Sequence, residues 1–169
     1  MTARVIAGAL GVAMAGLVAA VVLLWPRPPA GPEPIAYGRD ACAACRMPLA
    51  QPGFAGEMRD HEGTLTKYDD VGCLLHAVLT AHREVPAAWV EDHDGGGLVP
   101  LLAAHLVRAE NAGTPMGYGI VAFKEQGAAD RFAAEHAGRV LAFEDVLRNP
   151  AMVARPPQRP TDDRGGTHR

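Results

Sequence analysis

The chain opens on an apolar run. Of the first 25 residues 20 are apolar, and Val5 to Trp25 carries no charge over 21 residues. At about 1.5 Å per residue, a helix of that length crosses a hydrocarbon core of about 30 Å. A cleaved secretory leader has a shorter apolar region and then a small-residue cleavage site. Here Ala19-Ala20 leads straight into Val21-Val22-Leu23-Leu24-Trp25. No cysteine closes the run, so no lipid-bearing cysteine is offered there. The pattern predicts a retained N-terminal membrane anchor over 1–25, with cleavage near Ala20 as the alternative. Arg4 and Arg27 flank it almost evenly, so charge hardly orients it. Short anchors of this shape leave the long C-terminal part outside the cytoplasm, and that orientation is expected here.

The pattern changes at Pro26. Residues 26–40 begin with five prolines between Pro26 and Pro34, which predicts a stiff, extended spacer. Residues 41–149 then read as a small folded domain. Phe54–Arg59 and Thr64–Tyr68 form short strands around Asp60-His61-Glu62-Gly63, a hairpin signal. Asp69 or Asp70 caps a helix from Val71 to about Arg83, where Val71, Leu74, Leu75, Val78 and Leu79 recur at helical spacing. Pro86 breaks the run, and Ala88–Glu91 is a strand.

After Asp94-Gly95-Gly96-Gly97 the order recurs. Ala104–Glu110 and Gly119–Phe123 read as strands, and Glu125–His136 as a helix ended by Gly138 at the C′ position. Arg139–Ala142 is again a strand, and Phe143–Arg148 a short helix. The expected fold is α+β: two successive strand-strand-helix-strand units preceded by a transmembrane helix. Residues 150–169, ending PPQRPTDDRGGTHR, read as a disordered tail.

Composition narrows the function classes. The net charge of −3 and a pI near 6.1 argue against a nucleic-acid binder, which would show a basic face. Three cysteines are too few for a disulfide-dense miniprotein, and an odd number leaves one thiol outside any pair.

The strongest chemical signal is Asp40-Ala41-Cys42-Ala43-Ala44-Cys45-Arg46-Met47-Pro48, a C-x-x-C-x-M cluster. Two thiols three positions apart can face one ion, Met47 adds a thioether, and soft sulfur donors select Cu(I). A small-loop disulfide and a thiol-disulfide redox pair are the competing readings. Without a second C-x-x-C there is no four-cysteine zinc ribbon. With Arg46 after Cys45 there is no c-type haem attachment.

Cys73 falls in the first turn of the first helix, either as a packed thiol or as a further ligand. His76, three residues on, is a possible partner for it. Met116, in Thr114-Pro115-Met116-Gly117-Tyr118-Gly119, is either a Cu(I) thioether ligand or a plug at the sheet end. Asp92-His93-Asp94, beside three glycines, reads as a solvated turn rather than a metal site. No motif pairs a nucleophile with a base, so no enzyme is expected.

Together, D-x-C-x-x-C-x-M from Asp40 to Met47, Tyr68-Asp69-Asp70 with Cys73, and Pro115-Met116-Gly117 resemble the NosL family. The resemblance covers about 40–148. It implies a copper chaperone outside the cytoplasmic membrane that supplies Cu(I) for the copper-sulfide centre of nitrous oxide reductase. The implied partners are the reductase apoprotein and a copper-related ABC membrane complex. The implied fold is two similar strand-strand-helix-strand units. By position the resemblance implies Cys42, Cys45 and Met47 as one sulfur cluster and Met116 as a completing ligand, with Cys73 and His76 secondary. Many members carry a lipid-bearing cysteine; this chain has the apolar run at 5–25 instead, which changes the tether and not the implied chemistry.

Overall fold

The computed structural model describes residues 31–81 and 87–154. The expected membrane anchor, the first part of the spacer, His82 to Pro86 and the tail beyond 154 lie outside the described residues. Among the described residues, no helix is long and apolar enough to cross a membrane.

Strands β1 (Gly56–Arg59) and β2 (Leu65–Tyr68) pair antiparallel, with Glu57 opposite Lys67. The turn between them is closed by the Asp60 carboxylate, which accepts the Thr64 N–H at 2.8 Å, and by Gly63 at φ 88°. Helix α1 (Val71–Thr80) follows, then β3 (Ala87–Glu91), antiparallel to β1. A three-residue strand β4 (Leu98–Pro100) lies outside β3 and extends the order to β2-β1-β3-β4.

The second half runs β5 (His105–Arg108), β6 (Ile120–Phe123), helix α2 (Gln126–Glu135) and β7 (Arg139–Leu141). Its sheet has the order β6-β5-β7, also antiparallel. In both halves the first strand pairs with the other two, and the helix carries the chain across it to its other side. The duplicated order of elements is therefore matched by duplicated strand pairing. Helix α3 (Phe143–Arg148) ends the repeat.

The second sheet is buried on both faces. Leu106, Ile120 and Ala122 join one core with Val71, Leu74 and Leu75 of α1. Val107, Val121 and Phe123 join another with Ala128 and Ala129 of α2. Neighbouring residues of a strand point to opposite faces. The unbroken apolar run Ile120-Val121-Ala122-Phe123 thus serves two cores at once.

Three expectations are corrected. First, the folded region exceeds 41–149 at both ends. Within the expected spacer, Ile35 and Tyr37 pack on the core, the Tyr37 hydroxyl bonds the Glu91 carboxylate, and the Glu33 N–H donates to Glu57 at 2.9 Å. Within the expected tail, Pro150–Val153 forms a 3-10 turn with Val153 buried, and Arg108 donates to the Met152 and Ala154 carbonyls. Apolar anchors and satisfied carbonyls make both segments part of the fold.

Second, the left-handed residue ending α2 is Ala137, at φ 48°, not Gly138. The Gly138 N–H reaches back to the Ala133 carbonyl at 2.7 Å, as in a Schellman motif. Gly138 is needed for contact instead: a Cβ there would lie 2.8 Å from the Arg108 carbonyl. Third, Asp92 and His93 do not form a solvated turn. Asp92 is buried and accepts the Lys124 N–H, while His93 packs among Phe54, Phe123 and Phe132 with centroids 5.0–5.6 Å away. Strand β4 lies between the Asp94–Gly97 turn and the strand expected from Ala104, where the sequence pattern assigns no element.

Candidate metal centre

The site begins with a closed loop. The Cys42 N–H donates to the Met47 carbonyl at 2.8 Å, and the Arg46 N–H to the Cys42 carbonyl at 2.9 Å. Ala41 and Pro48 face each other across an isolated bridge, and Arg46 takes φ 65° to turn the chain. A left-handed residue other than glycine costs about 1–2 kcal/mol, so the surrounding bonds must enforce it.

Two anchors hold the loop on β2. The Ala43 N–H donates to the Lys67 carbonyl at 2.8 Å. The Lys67 ammonium sits 2.8 Å from the Asp40 carboxylate and 3.7 Å from fully buried Glu57. The hydrogen bond from Lys67 holds the Asp40 carboxyl below its ordinary range, whereas burial pushes that of Glu57 up.

The other donors come from the start of α1. Asp70 is the N-cap, its carboxylate accepting the Gly72 N–H at 2.7 Å. This places Cys73 in the first turn and Asp69 just before it. The Cys45 thiol donates to the Asp69 carboxylate at 3.5 Å. One ligand atom from each of Cys42, Cys45, Cys73 and Asp69 lies within 4.8 Å of the others. Cys42, Cys73 and Asp69 are buried and Cys45 is half-buried; all three thiols are free of disulfides.

The cluster favours one thiolate. The hydrogen bond from Cys73 is the largest force on Cys42; aided by Asp69, it overcomes burial and draws that thiol down to about 4. Burial leads the opposite shift of Cys45, pushed up to about 11. The proton of Cys73 is held by its bond to Cys42, which raises that thiol strongly. Burial, with Cys42 beside it, lifts Asp69 to about 6. The pocket therefore favours the thiolate at Cys42, flanked by two thiols whose protons pass to solvent when an ion binds.

The NosL family profile matches residues 35–151. The chain belongs to the NosL family. A curated relative, the copper-binding lipoprotein NosL of Stutzerimonas stutzeri, is 29% identical over 126 residues. That match covers 68% of this chain and 66% of the relative, just under two thirds of its length. The crystal structure of the copper chaperone NosL from Shewanella denitrificans shares the fold, with a TM-score of 0.63 at 18% identity. It is covered over 98% of its length and covers 72% of this chain.

This NosL domain distributes the expected site residues unevenly. Cys42 and Cys45 come together as their spacing suggests. Cys73 is buried and its sulfur lies beside theirs. Met47 is 56% exposed and contributes its carbonyl to the loop. Met116 is half-buried against the main core, and its N–H donates to Asp70 at 2.9 Å. His76 points to solvent: the three-residue step from Cys73 rotates it about 60° round the helix, out of the cluster. Asp69 is the member that sequence reasoning missed. Its signal was present in Tyr68-Asp69-Asp70, where one acid caps the helix and leaves the other to face the thiols.

Proposed function

We propose that this chain is a Cu(I) chaperone of the extracytoplasmic membrane surface, with copper as its cargo. The observation that carries the reading is the meeting of three thiols and Asp69 at the start of α1. Soft sulfur suits Cu(I) over harder ions. Cys42 offers a ready thiolate. Cys45, the least buried of the three thiols, is the entry point. Cys45 and Cys73 complete capture by giving up their protons.

A sulfur shell open at the half-buried Cys45 lets an incoming ligand attack the ion, so release proceeds by exchange rather than by free dissociation. Met116, whose backbone N–H bonds the Asp70 that caps α1, is the thioether that completes the set. Met47, exposed at the lip of the loop, is the thioether that meets the acceptor. We assign the acceptor as apo nitrous oxide reductase during assembly of its copper-sulfide centre, with a copper-related ABC complex as the membrane partner. The copper-related names of both relatives support the copper cargo, and family membership supports the client. The apolar run from Val5 to Trp25 is the tether.

The test is an anaerobic competition titration with a coloured Cu(I) chelator, followed by mixing the loaded protein with apo-reductase. One Cu(I) per chain is expected, with affinity falling at least about tenfold for each of Cys42→Ser, Cys45→Ser and Cys73→Ser. Unchanged affinity in all three variants overturns the site. Tight binding with no transfer to the reductase overturns the client alone.

A further inference from the structure

We infer that Asp70 is a positioning residue: one buried carboxylate fastens the Met116 loop to the helix turn that carries Cys73. The inference rests on the reading of Met116 as a thioether ligand. Asp70 is fully buried. Its Oδ1 accepts the Gly72 N–H at 2.7 Å, and its Oδ2 accepts the Met116 N–H at 2.9 Å from 46 residues away. A second contact seats the same two elements. A Cβ on Gly72 would lie 2.1 Å from the Tyr118 side chain, so the ring rests directly on the helix backbone.

The loop is also closed on itself. Thr114 accepts the Gly117 N–H through its carbonyl at 3.0 Å and the Gly119 N–H through its hydroxyl at 3.1 Å. Thr114 to Gly119 therefore docks as one piece on the first turn of α1.

A methionine has three rotatable side-chain bonds and reaches a given point only a fraction of the time. Fixing its backbone nitrogen removes the loop's freedom and leaves only the side chain to order when the ion binds. Such preorganisation by a supporting group raises affinity without touching the ligand. Asp70 does this while also starting the helix that presents Cys73, so both donors are set by one side chain.

Asp70→Asn separates the two duties. Asn caps a helix about as well as Asp. It has one acceptor oxygen, however, and must turn its NH2 group toward one of the two backbone N–H donors. Asp70→Ser keeps a capping oxygen and is too short to reach Met116. The full chain is titrated anaerobically with Cu(I) as wild type, Met116→Leu, Asp70→Asn, Asp70→Ser and Asp70→Asn/Met116→Leu, and the sulfur shell is counted by X-ray absorption. Thermal melts identify any variant that does not fold.

The expected result is an affinity loss of about tenfold or more for each single variant. Each also loses one sulfur from the shell, and the double variant binds no more weakly than Met116→Leu. If Met116→Leu changes neither affinity nor shell, the ligand reading fails and takes this inference with it. If Met116→Leu weakens binding while both Asp70 variants keep the full shell, or if the losses add in the double variant, Met116 stands as a ligand and the positioning role is overturned. If Asp70→Asn does not fold, Asp70→Ser alone decides between these outcomes. If neither folds, Asp70 is a structural cap and the positioning role is overturned.

Discussion

Cys42 takes its low proton affinity from its neighbours: Cys73 donates to it, and Asp69 shares a proton with it. Replacing Cys73 with Val removes the leading donor at similar size. The Cys42 titration, followed by thiolate absorbance, should move up from about 4 by more than about one unit; an unmoved titration would leave Cys73 without this role. The same cluster sets the pH dependence of binding. Cys45 and Cys73 both hold their protons more tightly than usual, so a three-thiolate site must displace two of them. Protons therefore compete with the ion, and affinity should fall as pH falls, by about a hundredfold per unit near neutrality. A tenfold slope would mean that only one of the two joins the ion. The thiols of the C-x-x-C pair were legible from spacing alone. Cys73 was legible only as a secondary ligand and Asp69 not at all, because their meeting with Cys42 depends on how the loop docks against α1.

At the scale of elements, the contact between α1 and the Thr114–Gly119 loop leaves no room for a methyl group. Gly72→Ala should cost about 1–3 kcal/mol in chemical denaturation, since the added carbon must push back the Tyr118 side chain. Tyr118→Ala in that background should recover part of the loss. Strand β6 carries a different load. Phe123→Ala, in the strand shared by both cores, should cost about 3–5 kcal/mol. Periodicity made α1, α2 and the two hairpin-like pairs legible, because each buries a stripe or face of regular spacing. It did not reveal β4, three residues ending in a proline at a sheet edge. Nor did it reveal the left-handed Ala137, a conformation usually assigned to the glycine beside it.

At the scale of the molecule, the folded unit runs past the boundaries that composition suggests. Polar and proline-rich sequence hides single apolar anchors such as Ile35, Tyr37 and Val153, which a compositional boundary overlooks. A chain ending at Asn149 loses Val153 and two carbonyl acceptors of Arg108. It should be less stable than one ending at Ala154 by about 2 kcal/mol or more, measured by urea unfolding. The C-x-x-C loop and the first turn of α1 bring three thiols and Asp69 together within the first half, and the second-half loop docks on that turn through Asp70 and Tyr118.

The most direct measurement is X-ray absorption at the copper edge of the Cu(I)-loaded full chain, beside a Cys42→Ser/Cys45→Ser/Cys73→Ser variant prepared in the same way. One Cu(I) per wild-type chain in a shell dominated by sulfur is expected, with loss of that ion from the variant. A variant that retains the same stoichiometry and the same sulfur shell would contradict it.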